Sequence, residues 1–234
     1  MAYCTICFEQ YTHESWSSLF FIGEQSSLCQ ECRASLERIE GDICRKCGRP
    51  LSAVKPEYLE GDTCLDCVRW QQDPRWSHTL SSNRSVYVYN DFIKSVLATY
   101  KFRGDYKLCE AFRKDLVKTY KAFFTPTDMI VPIPLSNERL YERGFNQSLA
   151  FATFLGTPQE LLTRKHHEKQ SKKSRTKRME AENPFMLLEP IDLSGKSVVI
   201  VDDIYTTGST IRNAAEVILA ASASSVSSLT LVRS

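Results

Sequence analysis

The sequence predicts an α/β domain with a mainly parallel sheet, preceded by a small cysteine-rich, metal-binding module. Three observations carry this. Eight of the nine cysteines fall before residue 68, in four C-x-x-C pairs. From residue 86 onward, short apolar or alternating runs are separated by helical patterns, as in strands joined by helical crossovers. An apolar run, Val198–Val201, leads straight into Asp202 and Asp203 and then into a loop of hydroxyl residues and glycine, Thr206–Thr210.

The cysteine pairs are Cys4/Cys7, Cys29/Cys32, Cys44/Cys47 and Cys64/Cys67, with 21, 11 and 16 residues between successive pairs. Each pair presents two thiolates to one metal ion, and zinc takes four in a tetrahedron at about 2.3 Å. Eight ligands suit two structural zinc ions. Sequential use of the pairs is the simplest assignment, and an interleaved one stays open. A redox dithiol needs one pair at a helix start, not four, and the close spacing of iron–sulfur motifs is absent. Residues 1–70 hold few long apolar runs, so such a module needs metal to fold. Cys109, alone in a helical pattern, reads as a core residue.

The turn-rich stretch Gln71–Ser85 reads as a linker, and residues 86–234 as the α/β domain. There, SVYVYN alternates like a strand, and the stretch from Asp91 to Phe124 is mostly helical with a break at Arg103–Gly104. MIVPIP is a short strand ended by prolines, Asn137–Leu155 is helical with a turn at Gly144, and SVVIV is a buried strand. A helix over Ser209–Ala221 and a last strand over Val226–Val232 complete the pattern.

The net charge of +2 hides an asymmetry. Residues 164–178, RKHHEKQSKKSRTKR, hold eight Lys or Arg and one Glu, a net of +7. The rest of the chain has 22 basic and 27 acidic residues, a net of −5. Such a block attracts polyanions or anionic surfaces. No apolar run is long enough to span a bilayer, and the first residues do not read as a signal peptide. The expected location is the cytoplasm, with the inner face of the membrane reached through partners.

Asp202 and Asp203 stand at the carboxyl end of a strand, where open α/β sheets bind ligands. Thr206, Thr207, Gly208, Ser209 and Thr210 form the turn into a helix, whose free N–H groups and hydroxyls suit a phosphate. The acids suit hydroxyl groups or a magnesium ion beside it. A ribose 5-phosphate satisfies both halves. Neither a Walker A loop nor a Rossmann glycine motif is present.

The stretch VVIVDDIYTTGST resembles the phosphoribosyl pyrophosphate motif of type I phosphoribosyltransferases. YKFRGDY (Tyr100–Tyr106), IVPIPLSNERLYERGFNQ (Ile130–Gln147), the LTRKHHEKQ…R…F segment and the cysteine pairs together resemble the ComF family of competence proteins, over essentially the whole chain. The resemblance implies ribose-binding acids at Asp202 and Asp203, catalytic if the protein is a transferase, and a 5-phosphate loop at Thr206–Thr210. It also implies a pyrophosphate-holding role for Lys101, Arg103, Arg139 and Arg143, with Asn146 and Gln147 in the same element. Arg139 and Arg143, four apart, share a helix face, where two guanidinium forks suit a pyrophosphate. In the basic segment, Gln170, Arg178 and Phe185 fall in the register of the family's flexible loop, while Ala181 and Lys173 depart from it.

No acceptor site is visible: after the motif helix the chain makes one strand and ends, with no hood and no base-binding segment. The family is linked to DNA uptake during natural transformation. The expected function is therefore single-stranded DNA binding in that process, together with a phosphoribosyl ligand. Lys169, Lys172, Lys173, Arg175, Lys177 and Arg178 are the expected phosphate contacts, and Tyr87, Tyr89, Tyr100, Phe102 and Tyr106 the candidates for base stacking. The alternatives are a magnesium-dependent phosphoribosyltransferase of unknown acceptor, or an adaptor whose zinc module docks a DNA-uptake helicase or a membrane channel component.

Overall fold

The computed structural model describes residues 2–12, 27–102, 104–165 and 182–234. Strands β1 (Ala2–Tyr3) and β2 (Gln10–Tyr11) form an antiparallel hairpin whose connection carries Cys4 and Cys7. Helix α1 (Gln30–Ser35) starts at the second pair, with Cys29 Sγ accepting from the Cys32 amide at 3.4 Å. Strands β3 (Leu59–Glu60) and β4 (Thr63–Cys64) form a second hairpin, followed at once by α2 (Leu65–Gln72), which carries Cys67.

The connection to the sheet is shorter than the Gln71–Ser85 expected from composition, because α2 runs to Gln72 and β5 (Asn83–Val88) begins at Asn83. It is also anchored. Arg75 forks onto Glu216 at 2.8 and 3.0 Å, and its guanidinium lies over the Trp76 ring.

After β5 come α3 (Asp91–Phe102), a 3₁₀ helix (Tyr106–Phe112), α4 (Arg113–Phe123), β6 (Met129–Pro132), α5 (Asn137–Arg143) and α6 (Gln147–Ala152). Gly104 and Gly144, at φ 66° and 76°, make the expected breaks, and Gly144 caps α5 with its N–H on the Leu140 carbonyl. Strands β7 (Leu162–Arg164) and β8 (Phe185–Leu187) form a small antiparallel pair that the sequence pattern did not announce. Then follow β9 (Ser197–Tyr205), α7 (Ser209–Ala220) and β10 (Ser225–Arg233).

The main sheet is wholly parallel, in the order β5-β10-β9-β6. With β9 and β10 in the middle, their long apolar runs are buried on both faces. Val199 and Val201 point to one core, with Val96, Leu97 and Tyr100 of α3, Phe112, Leu116 and Phe151. Val198 and Ile200 point to the other, with Ile211, Ala214, Ala215 and Ile218 of α7, and with Leu162 and Phe185. The i, i+3, i+4, i+7 spacing on α7 is what turns one face of that helix to the sheet.

The cysteines form two tetrads in sequential order, Cys4/Cys7/Cys29/Cys32 and Cys44/Cys47/Cys64/Cys67, with the sulfurs of each within 4.8 Å of one another. Four sulfurs at that separation fit a tetrahedral zinc ion. The tetrads lie on opposite sides of the sheet. Cys4, Cys29 and Cys32 join the first core, and all four members of the second tetrad join the other. The second knuckle approaches β5 so closely that a Cβ on Gly48 would meet the Asn83 carbonyl at 2.8 Å. Among the described residues, no helix is long and apolar enough to cross a membrane.

Because each tetrad belongs to a core it shares with the sheet, stripping metal should lower the thermal midpoint of the whole chain in one transition. Calorimetry of chelated against zinc-loaded protein, with about two zinc ions per chain in the latter, checks this. A metal-stripped protein whose α/β domain melts where it did before would contradict it.

Candidate functional site

β9 carries its apolar run to Val201 and then changes character. Asp202, opposite Thr230 of β10, is buried, and its Oδ1 accepts from Ser148 Oγ at 2.9 Å and from the Asp203 amide at 2.9 Å. Asp203 is ion-paired with Lys101 from the end of α3, both side chains being about six-sevenths buried. Lys101, expected on the pyrophosphate side, thus holds one of the acids.

Burial, and then the charge of Asp203, push the Asp202 carboxyl up to about 7 from an ordinary 3.8. Two carboxylates next to each other in a low-dielectric position do not both ionise freely.

Beyond Tyr205 the chain turns through Thr206–Gly208 into α7. Thr206, Thr207, Ser209 and Thr210 are exposed and Gly208 is buried. The Thr207 and Ser209 hydroxyls lie 3.0 Å apart, and the Ser209 amide points to Thr207 Oγ1 at 3.4 Å. Gly208 has φ 87°, and a Cβ there would collide with the Tyr205 hydroxyl and the Arg212 guanidinium, so the turn requires glycine. A ring of exposed hydroxyls over the start of a twelve-residue helix is suited to a phosphate.

The R-x-x-x-R-G-F-N-Q element is organised from within. Asn146 caps α6, its Oδ1 accepting from the Ser148 and Leu149 amides, and its Nδ2 donates to the Ile133 carbonyl at 3.0 Å. Asn146 thereby delivers Ser148 to Asp202. Arg143 donates to Gln147 Oε1 at 2.9 Å, which fixes that buried amide and leaves Gln147 Nε2 without a partner. Arg139 is exposed on α5.

Arg164 of β7, which opens the basic segment and to which the sequence alone assigns no role of its own, joins this corner. It donates to the Pro134 carbonyl at 2.9 Å. Burial, and then the charge of Arg139, hold its guanidinium below its usual value; Asp202 opposes this and Arg143 adds to it. The charges of Arg139, Arg143 and Asp202 are thus all felt at Arg164. Periodicity gave no sign of Arg164 or Ser148, because neither lies in a motif dictated by spacing.

Arg103, Lys169, Lys172, Lys173, Arg175, Lys177 and Arg178, with Gln170 and Ala181, lie outside the described residues. Two of the stacking candidates are core side chains. Tyr87 donates to Asp115 Oδ2 at 2.6 Å, and Tyr100 stacks on Phe151 with centroids 5.3 Å apart. An inward-facing strand position and the apolar stripe of α3 claimed them. Phe102 and Tyr106 are exposed, Tyr89 is partly so, and Tyr141 on α5, which sequence reasoning passed over, is 92% exposed. The Arg143 guanidinium lies 6.0 Å from the Phe102 ring centre. Cys109 is buried, its thiol pushed up to about 11 by burial, as expected of a core residue.

A carboxyl raised on folding contributes stability that is full below its unfolded pKa and is lost as pH rises through the folded one. Asp202→Asn should therefore gain stability relative to wild type as pH rises from about 4 to about 8. Paired thermal melts across that range check it, the metal sites being common to both proteins. A difference independent of pH would contradict the account of Asp202.

Comparison with known proteins agrees with both halves of this architecture. Residues 2–68 match the double zinc ribbon domain and residues 150–234 the phosphoribosyl transferase domain. The competence protein ComFC of Bacillus subtilis (strain 168) is 40% identical over 235 residues, covering 99% of this chain and 95% of that protein. The competence protein ComFC of Streptococcus pneumoniae (strain ATCC BAA-255 / R6) is 30% identical over 236 residues, covering 98% of this chain and 99% of its own length. The DNA utilization protein YhgH of Salmonella typhi is 29% identical over 222 residues, covering 85% of this chain and 93% of its own. The cysteine tetrads, the parallel sheet and these full-length matches lead to one conclusion: the chain belongs to the ComFC family of competence proteins.

Proposed function

We propose that this protein acts in DNA uptake, binding single-stranded DNA and holding a phosphoribosyl ligand at the carboxyl end of β9. The observation that supports the ligand half is that Asp202 and Asp203 and the Thr206–Thr210 turn follow one another at the end of β9, with the charge of Asp202 felt at Arg164 beside those of Arg139 and Arg143. Carboxylates read hydroxyls, the turn takes the 5-phosphate, and guanidiniums suit a further diphosphate. Lys101 already neutralises Asp203. A magnesium ion arriving with a phosphoribosyl pyrophosphate would take ligand phosphate oxygens and waters, with Asp202 or Asp203 the carboxylates at hand.

The names of the relatives, competence and DNA utilization proteins, favour the DNA half. So does surface chemistry. Phe102 is exposed beside the Arg143 guanidinium, Tyr141 is exposed on the helix that carries Arg139 and Arg143, and Tyr106 is exposed too; unstacked bases bind aromatics interleaved with cations. The +7 segment at residues 164–178 adds backbone attraction.

Isothermal titration with ribose 5-phosphate and with inorganic phosphate tests the ligand. Losing hydrogen bonds to charged acceptors costs about 1.5–3 kcal/mol each. Asp202→Ala with Asp203→Ala should thus weaken ribose 5-phosphate by at least about tenfold and leave inorganic phosphate nearly unchanged. Equal loss of both would show that the acids do not read hydroxyls.

Fluorescence anisotropy of a labelled oligonucleotide across a salt series tests the DNA half. With about four to six phosphates contacted, the log–log slope should be about −3 to −4. Arg139→Ser with Arg143→Ser should make it shallower by about 1.4, and Tyr141→Ala should weaken single strands without changing the slope. A flat salt response in the wild type would remove DNA from the account.

A further inference from the structure

The phosphate turn is held from behind by the helix that carries Cys67 of the second cysteine tetrad. Trp70 sits on α2, three residues after Cys67, and its Nε1 donates to the Thr207 carbonyl at 3.0 Å. A peptide group is planar, so its C=O and N–H point in opposite directions. Holding the Thr207 carbonyl against Trp70 therefore aims the Gly208 N–H away from α2.

Arg212 fills the space beneath. Its guanidinium lies 4.5 Å from the Trp70 ring centre and donates to the Tyr205 hydroxyl at 2.8 Å. It is 4% exposed, its Nε has no partner, and it lies against Gly208. A buried cation thus stands directly behind the turn.

Arg233, at the end of β10, completes the connection. It is 3% exposed, donates to the Tyr205 carbonyl at 3.2 Å and to Cys47 Sγ at 3.5 Å, and lies over the Tyr205 ring. Four thiolates around one zinc ion carry a net charge of about −2, which compensates a guanidinium that would otherwise be costly to bury. The residue that opens the turn, Tyr205, is held at its hydroxyl by Arg212 and at its carbonyl by Arg233.

We infer that the second zinc ribbon fixes the conformation of the phosphate turn, with Trp70 as the positioning residue and Arg233 as the link to the metal site. The first ribbon packs into the opposite core and makes no such link among the described residues. The ligand part of this inference rests on the phosphoribosyl reading above. The conformational part does not.

The test uses the full-length, zinc-loaded chain. Trp70→Phe keeps a ring under Arg212 and removes one donor. Hydrogen exchange, read by mass spectrometry, should accelerate about three- to tenfold in the peptide spanning residues 205–210, as expected for one lost hydrogen bond. Zinc content should stay unchanged. The affinities for inorganic phosphate and for ribose 5-phosphate should fall by a common factor of about three to ten, so that their ratio is preserved. A general loss of packing would not preserve that ratio, and loss of the acids would change it.

Arg233→Met, which leaves Trp70 in place, should accelerate exchange in the same peptide. Unchanged exchange there in both variants overturns the inference. A wild type that binds neither phosphate nor ribose 5-phosphate overturns the phosphoribosyl reading instead, and exchange still decides whether the ribbon holds the turn.

Discussion

Two carboxyl groups must be kept side by side at the rim of a low-dielectric core, and the rest of the site is arranged around that requirement. β9 is buried on both faces up to Val201, and the next residue is a carboxylate. Asp202 is made tolerable by a hydroxyl from Ser148 and an amide from its neighbour, and by a carboxyl pushed up to about 7, so that it keeps a proton more readily than an ordinary aspartate. Asp203 is made tolerable by Lys101. Breaking a buried charge pair by removing one partner costs about 3–5 kcal/mol. That cost gives α3 and α6 fixed positions relative to the sheet: Lys101 ends one helix and Ser148 begins the other.

The same requirement explains why the zinc ribbons are not an appendage. A four-stranded parallel sheet needs both faces covered. Helices α3, α4 and α6 supply most of one cover and α7 most of the other, and a cysteine tetrad contributes to each. Arg38 forks onto Asp115 of α4 from the first ribbon's side, and Asn83 at the start of β5 donates to the Cys47 carbonyl from the sheet's. The metal sites therefore stabilise the geometry of the α/β domain as well as their own knuckles.

Much of this could be read in the sequence, for definite reasons. Strict periodicity revealed α3 and α7, in-line glycines at 104 and 144 gave the breaks, and C-x-x-C spacing gave the tetrads in their simplest pairing. The acid pair was visible because charge directly after an unbroken apolar strand is rare. What escaped depends on contacts between distant residues. β7 and β8 are three residues each, too short for alternation to register. Arg164, Ser148, Arg212 and Trp70 take their roles from neighbours 30 to 137 positions away or from a burial that no local pattern marks. Tyr87 and Tyr100, expected among the stacking candidates, are core side chains, because an aromatic at an inward position looks the same in either role.

The central proposal is a ribosyl phosphate site at the end of β9, where Lys101 holds Asp203 until the ligand arrives. A crystal structure with ribose 5-phosphate bound tests it most directly. The account predicts the phosphate on the Thr206–Thr210 turn, the ribose hydroxyls at Asp202 and Asp203, and Lys101 released from Asp203 toward solvent or ligand. A phosphate held by Arg139, Arg143 and Arg164 with the turn empty, and Lys101 still on Asp203, would contradict it.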